Sequence, residues 1–319
     1  MPQRLQPTHD RVAAEALSNA PLYLTGATAS GKSSLAVALA ERIGGEIVNA
    51  DAFQLYQGLD LLTAKPSAAE LQRIPHHLYS VLSPADACDA QRYRQLALEA
   101  IQQIQSRGRQ AIVVGGSGLY LKALSHGLAQ LPAGDPTLRA KLRDLPLEEK
   151  QRQLLTLDPD AADNVPLANP RYVERALEIC LLTGQPQSAL RRSFATAQPW
   201  GRGVVLAWER TELHQRIHQR SQQMLASGLL DEVATFPDCA GALDKAIGLA
   251  ELRAHLRGES TLEHAIDAME QATRRYAKRQ GTWFRREHWM RPLLLTPTQA
   301  TDATLEQLLG LLAPSSGTN

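Results

Sequence analysis

Gly26-Ala27-Thr28-Ala29-Ser30-Gly31-Lys32-Ser33 is the stretch that decides how this chain is read. Two glycines enclose four residues and Lys-Ser follows, which is phosphate-loop spacing. The apolar run Pro21-Leu22-Tyr23-Leu24-Thr25 ahead of it predicts a short buried strand. Leu35, Leu39 and Ile43 behind it recur with a helical period. Strand, glycine loop and helix are the context this motif needs. Glycines let backbone N–H groups turn inward around phosphate oxygens, and the helix N-terminus adds partial positive charge. Lys32 contributes a full charge, and the Ser33 hydroxyl suits a magnesium ion. A plain glycine turn capped by Ser30 would leave Lys32 without a role.

The rest of the composition sets bounds. With 319 residues there is room for one large or two smaller domains. A net charge of +1 means that any nucleic acid must be held by a local patch. Cys88, Cys180 and Cys239 lie far apart, which excludes a CxxC zinc site or a disulfide framework and favours a reducing compartment. No apolar run reaches the length of a membrane span, and residues 1–20 lack the apolar core of a signal peptide. They read as a loose extension, and the chain as cytoplasmic with no membrane partner.

Downstream, Glu46-Ile47-Val48-Asn49-Ala50-Asp51 predicts a second strand ending in a carboxylate. Strand ends of an open parallel sheet face the ligand crevice, which places Asp51 near the phosphate loop. There it could hold magnesium or take a proton from a nucleophile, unless it merely caps a helix. Thr63-Ala64-Lys65-Pro66-Ser67 and Pro75-His76-His77-Leu78 read as loops, with the histidines structural. Ala90 to Arg107 predicts an amphipathic helix ended by Gly108. Ala111 to Gly118 predicts a third strand and a glycine turn, with Gly115 where many phosphate-loop NTPases carry a magnesium-supporting aspartate. These glycines would let a ligand or another backbone come close. Leu119 to Leu128 starts a helix.

From Leu131 to Pro199, prolines recur between short helical stretches, the clearest being Pro170 to Thr183, and no strand is evident. Val204 to Trp208 is again a strand. The fold expected is therefore α/β: a P-loop NTPase-like parallel sheet flanked by helices over 21–128 and 200–312, with an all-helical insertion over 129–199. Residues 313–319 read as a disordered tail. Thr211 to Ser227 predicts a helix with Arg216 and Arg220 one turn apart and His214 and His218 on a solvated face. The arginines are either solvated or close over a diphosphate. Thr273 to Arg291 carries seven Lys or Arg with Tyr276, Trp283, Phe284 and Trp289 interleaved. That suits either RNA binding or an amphipathic helix with a basic outer face.

Taken in order, several motifs resemble those of bacterial tRNA dimethylallyltransferases, also called tRNA isopentenyltransferases or the IPP transferase family. They are the phosphate loop, Ala50-Asp51 through Gln54-Leu55-Tyr56, Thr63-Ala64-Lys65-Pro66 and Pro75-His76-His77-Leu78. Val114-Gly115-Gly116-Ser117-Gly118-Leu119-Tyr120, Arg175-Ala176-Leu177-Glu178, Tyr276-Ala277-Lys278-Arg279-Gln280 and Thr282-Trp283-Phe284-Arg285 follow. The resemblance spans roughly residues 21 to 291. It implies a nucleotide-kinase-like fold, a need for Mg2+, and transfer of the dimethylallyl group of dimethylallyl diphosphate to tRNA. The acceptor is N6 of the adenosine 3′ of the anticodon, in tRNAs reading codons that begin with U. It also implies a monomer whose insertion grips the anticodon stem-loop.

By the same resemblance the catalytic residues are Asp51, Thr28, Lys32 and Arg220. Gly26, Ala27, Thr28, Ala29, Ser30, Gly31, Lys32 and Ser33 cradle the diphosphate, with Ser33 on the metal. The tRNA contacts implied are Asp51, Ala52, Phe53, Gln54, Ser117, Arg139, Arg171, Tyr172 and Arg175, then Lys245, Gly248, Lys278, Arg279, Gln280, Trp283 and Arg285. Gly115 to Gly118 would let the flipped base and its backbone pass close by. Ala27, Ala52, Arg171-Tyr172 and Leu249 depart from the family's usual residues. Two other readings use the same loop: a small-molecule kinase taking ATP, and a prenyltransferase acting on free adenine nucleotides. The insertion and the basic-aromatic stretch favour tRNA.

Overall fold

A computed structural model describes residues 20–128, 131–132, 134–192, 198–238 and 241–313. The N-terminal extension up to residue 19, Cys239 and the tail from residue 314 lie outside them. The elements are β1 (Leu22–Gly26), α1 (Lys32–Ile43), β2 (Gly45–Asn49), α2 (Ala68–Arg73), β3 (His76–His77), α3 (Ala90–Ser106), β4 (Gln110–Gly115) and α4 (Gly118–His126). The helices α5 (Pro136–Arg143), α6 (Leu147–Leu157), α7 (Ala161–Asn164), α8 (Pro170–Thr183) and α9 (Gln187–Arg192) come next. They are followed by β5 (Arg202–Trp208), α10 (Arg210–Ala226), α11 (Leu229–Thr235), α12 (Leu249–Leu256), α13 (Leu262–Phe284), β6 (Met290–Leu295) and α14 (Thr301–Leu312).

The six strands form one sheet in the order β3-β2-β4-β1-β5-β6, parallel at every pairing. Parallel strands covered on both faces are apolar throughout, and period 2 sends alternate residues to opposite sides. Leu22 and Leu24 of β1 join Ile112 and Val114 under α1 and α14. Tyr23 points the other way, into a cluster with Val113, Tyr93 of α3, Leu121 of α4 and Phe284 of α13. This order puts β1 between β4 and β5, so the loop after β1 opens at the C-terminal edge of the sheet, where ligands bind in such folds.

Three expectations need correction. The His-His loop is the edge strand β3, pairing Ile47 with His76 and Val48 with His77. His77 Nε2 meets Glu46 at 2.7 Å, so the histidines are structural as read. The basic-aromatic stretch is not one helix, because α13 stops at Phe284 and Met290 opens β6 beside Gly203. In β6, Met290, Leu293 and Leu295 are buried while Pro292 is exposed. Proline is tolerated there because an edge strand needs no donor on its open side. His218 is not simply solvated, since its Nδ1 lies 2.9 Å from Glu270.

The described chain falls into two compact units: residues up to Ser125 with those from Pro199 on, and His126–Gln198. The second unit is helical and has its own core of Leu142, Leu154, Val165, Val173, Leu177 and Cys180. No described helix is long and apolar enough to cross a membrane.

Candidate active site

The loop between β1 and α1 is tied down on several sides. Ala29 sits at φ 62°, an unusual conformation for a residue with a Cβ. Its carbonyl accepts a hydrogen bond from Arg216 Nε at 2.8 Å. The Ser30 carbonyl accepts one from Trp208 Nε1 at 2.9 Å. Arg216 also stacks on Trp208, 4.4 Å from the ring centroid. Thr28 N–H donates to Gln280 Oε1 at 2.9 Å, and Thr28 Oγ1 accepts from Arg220 at 3.0 Å. With these groups engaged, the first amides of α1, which have no intrahelical acceptor, remain for an anion.

These amides border a depression of about 560 Å³ lined by Thr28, Lys32, Ser33, Asp51, Arg216 and Arg220. A smaller, mainly apolar recess of about 80 Å³ adjoins it, lined by Thr28, Asp51 and Arg220 together with Ile217, Met224 and Met269. The four residues expected to be catalytic are therefore gathered at one place. Asp51 follows β2 on a short turn, where Oδ1 accepts the Phe53 N–H at 3.0 Å. No helix follows Asp51, so it is not the helix cap that was weighed; the bond to Phe53 closes a turn and uses one oxygen, and among the described residues Oδ2 accepts no hydrogen bond.

Burial pulls the Lys32 pKa down to about 8, against the pull of Asp51 and with a push from Arg220. Arg220 is likewise lowered by burial, with Asp51 opposing. Cations held close together and desolvated are poised for an anion. The sign follows from this arrangement. The lysine is charged below about pH 8 and loses its proton above it. An anion on the loop favours the charged form, so binding diphosphate at pH 9 takes up protons and binding at pH 6.5 takes up none at this residue. Calorimetry in buffers of different ionisation enthalpy measures the uptake, and equal values at both pH values would remove Lys32 from the phosphate site.

The sequence pattern of the IPP transferase family matches residues 54–287. The chain belongs to the IPP transferase family. It is 42% identical over 288 residues, 90% of this chain and 98% of the relative, to a tRNA dimethylallyltransferase of Akkermansia muciniphila. A Citrifermentans bemidjiense protein named tRNA dimethylallyltransferase 1 is 46% identical over 84% of this chain and 89% of its own. Among solved structures, the tRNA isopentenylpyrophosphate transferase of Bacillus halodurans superposes with a TM-score of 0.67 at 33% identity, covering 92% of this chain and 95% of that one. A eukaryotic dimethylallyltransferase acting on tRNA superposes with a TM-score of 0.79 at 26% identity, covering 90% and 77%.

In this IPP transferase the residues expected to touch tRNA divide into two groups. Lys245, Lys278, Arg279 and Arg285 are exposed, as are Arg171 and Tyr172 of the helical unit. Others serve the protein itself. Gln280 is only 5% exposed. Its Nε2 donates to the Gly116 carbonyl at 2.9 Å while its Oε1 holds Thr28, so it braces the phosphate loop rather than facing RNA. Gly248 is buried at the start of α12. Gln54 Nε2 donates to the carbonyls of Thr63 and Ala64 at 2.9 and 2.8 Å. Ser117 Oγ accepts the Ala52 N–H at 2.9 Å, tying the ends of β2 and β4 together. Phe53 lines the apolar recess, and Trp283 lies against Gly118.

The glycine turn brings the protein's own groups close, one of the two approaches expected of it. A Cβ on Gly115 would lie 2.2 Å from the Ala50 carbonyl oxygen, one on Gly116 2.2 Å from Gln280 Nε2, and one on Gly118 2.5 Å from the Trp283 ring. The close approach these glycines permit is made, within the protein, by Ala50, Gln280 and Trp283.

Arg139 and Arg175 both pair with Glu178, a side chain 1% exposed whose oxygens also take the Asp135 N–H. Burial pushes the Glu178 pKa up, but the hydrogen bonds from Arg175 and Arg139 outweigh it and leave it below the ordinary glutamate value. Its stabilisation is present above the unfolded glutamate pKa and is lost as pH falls through the depressed folded value. Glu178→Ala is expected to cost about 1.5–3 kcal/mol, the worth of a hydrogen bond to a charged group. Hydrogen exchange in α5 and α8 measures it, and unchanged protection would contradict the bracing role.

Trp208 and the recess residues Ile217, Met224 and Met269 were not singled out as a site by sequence reasoning, whereas Arg216, weighed there as closing over a diphosphate, does line the depression. One signal was available: Ile217, Arg220 and Met224 follow one another at i, i+3 and i+7, which puts them on one helical face.

Proposed function

We propose that this IPP transferase moves a dimethylallyl group from dimethylallyl diphosphate to N6 of the adenosine 3′ of the anticodon, in tRNAs reading codons that begin with U. It would act as a monomer in the cytoplasm. The observation that carries the reading is the meeting of two unlike cavities at Thr28, Asp51 and Arg220. A kinase needs a polar site on both sides of the transferred phosphoryl group. An allylic diphosphate needs a cationic cradle at one end and an apolar slot at the other. The relatives named here are tRNA dimethylallyltransferases, which favours this reading over a kinase or a free-nucleotide prenyltransferase.

In this mechanism Lys32, the amides opening α1 and Arg220 hold the diphosphate as the C1–O bond breaks and stabilise the charge it takes with it. The donor set suits magnesium, which is commonly bound by one or two protein oxygens plus substrate phosphates. Ser33, lining the depression, would supply a hydroxyl, with the substrate phosphates and water completing the shell. The ion when bound would offset the diphosphate charge. An adenine N6 amine is a weak nucleophile because its lone pair is delocalised into the ring. Asp51 Oδ2 is placed to accept its proton as the N–C bond forms. Thr28, bonded to Arg220, aligns the leaving group with that oxygen. The exposed Lys278, Arg279 and Arg285 would meet RNA phosphates.

Titration calorimetry with dimethylallyl diphosphate and with ATP, each with magnesium, tests the donor. Tighter binding of the isoprenoid diphosphate is expected, and a marked preference for ATP would sink the reading.

A further inference from the structure

The recess beside the phosphate loop is small. It shares Thr28, Ala29, Asp51, Thr63, Arg220 and Met224 with the wider depression, and these six form its doorway. Beyond the doorway the walls are Phe53, Leu62, Ile217, Ile247 and Met269. Asp51 Oδ2 stands at the doorway; beyond it, Ser221 Oγ donates to Glu270 at 2.5 Å, Glu270 also takes Arg274 at 3.1 Å, Thr273 Oγ1 donates to the Met269 carbonyl at 2.8 Å, and the Tyr276 hydroxyl pairs with Ser117 and Gln280. That leaves apolar contact as what the recess offers an occupant, which suits a hydrocarbon better than a nucleobase edge.

Its volume is about 80 Å³. A cavity of about 150 Å³ admits a benzene ring. By that measure a recess near half that size admits the dimethyl end of a five-carbon chain, with C1 in the doorway, and has no room for a second isoprene unit. Met269 is 4% exposed. A Cβ at Gly248, where φ is +97°, would lie 2.6 Å from Met269 Cγ and Sδ and 3.2 Å from Leu62 Cδ1. The thioether thus fills the space a side chain at 248 would need, and that position has a packing reason to be glycine. Methionine is ordinarily adaptable; here its thioether is buried and packed against Gly248.

We infer that Met269, packed against Gly248 with Leu62 beside it, is the chain-length gauge of this enzyme, closing the recess to isoprenoid diphosphates longer than five carbons. The inference rests on the proposed dimethylallyl transfer. Transfer from a longer allylic donor balances in the same way. The C1–O bond breaks with its electron pair leaving on diphosphate, the N6–C1 bond forms, and the N6 proton passes to Asp51.

The test offers the full-length enzyme equal concentrations of dimethylallyl and geranyl diphosphate with unmodified tRNA, and counts both modified nucleosides by mass spectrometry. Wild-type enzyme is expected to favour the five-carbon donor by at least about 100-fold, and Met269→Ala to raise the ten-carbon share at least about tenfold. Ile217→Ala opens another wall and moves the ratio in the same direction if Met269→Ala fails to fold. Calorimetry with the thiodiphosphate analogues of both donors, without tRNA, reads the same preference independently of transfer. An unchanged donor ratio in a folded variant overturns the gauge. So does a raised KM for tRNA at constant donor ratio, which would mean that the recess houses the base. Wild-type enzyme that binds the analogues but transfers neither chain would contradict the proposed function, while the analogue preference would still decide the gauge.

Discussion

Asp51→Ala is expected to lower kcat for dimethylallyl transfer about 10²–10⁴-fold, the range for losing a positioned general base. Affinity for tRNA should change little, because the carboxylate is one group beside a large interface of phosphate contacts. The expectation comes from where the carboxylate stands. β2 delivers it to the C-terminal edge of the sheet, and the turn after Asn49 fixes it through two bonds. The Asp51 N–H donates to Asn49 Oδ1 at 2.8 Å, and Oδ1 of Asp51 accepts from Phe53. One oxygen is spent on its own placement and the other faces the doorway shared by the two cavities. Asp51→Asn separates the roles: the amide can keep the Phe53 bond but cannot accept a proton at N6 while donating. If Asp51→Asn retains near wild-type turnover in single-turnover experiments, the general-base role is wrong.

Arg220→Ala is expected to cost about 10²–10³-fold in kcat, the effect of removing one preorganised donor aimed at developing negative charge. Arg220 comes from α10 and reaches Thr28 across the loop. Its desolvated guanidinium has Asp51 as a nearby opposite charge, which a diphosphate would supplement. Because the charge on the leaving oxygens grows in the transition state, the loss should fall more on kcat than on the donor KM. Arg220→Lys restores charge but not the planar fork, and is expected to recover only part of the rate. A pure KM effect would reassign Arg220 to ground-state binding.

Much of this site was legible because it is local. A strand, a glycine loop and a helix follow one another in sequence, and a carboxylate at a strand end lands at the sheet edge. What escaped depends on distant partners. β3 is two residues long, too short for any period, and exists because β2 offers Ile47 and Val48 an open side. β6 was hidden in a run of basic residues, since composition does not mark where α13 ends. Gln280 was expected to face RNA from the family resemblance of the Tyr276-Ala277-Lys278-Arg279-Gln280 motif. Yet Ala277, Gln280 and Phe284 stand at i, i+3 and i+7 and are all buried, and that period was readable. The glycines after β4 announced a close approach without naming the partner. Only the fold shows that Ala50, Gln280 and Trp283 occupy those places.

The most direct measurement is incubation of the enzyme with isotopically labelled dimethylallyl diphosphate, magnesium and unmodified tRNA, followed by nuclease digestion and mass spectrometry of the nucleosides. The account predicts labelled N6-dimethylallyladenosine from the position 3′ of the anticodon, formed with one diphosphate released per tRNA. No label in tRNA, or label on a phosphate or on free adenine nucleotides instead, would contradict it.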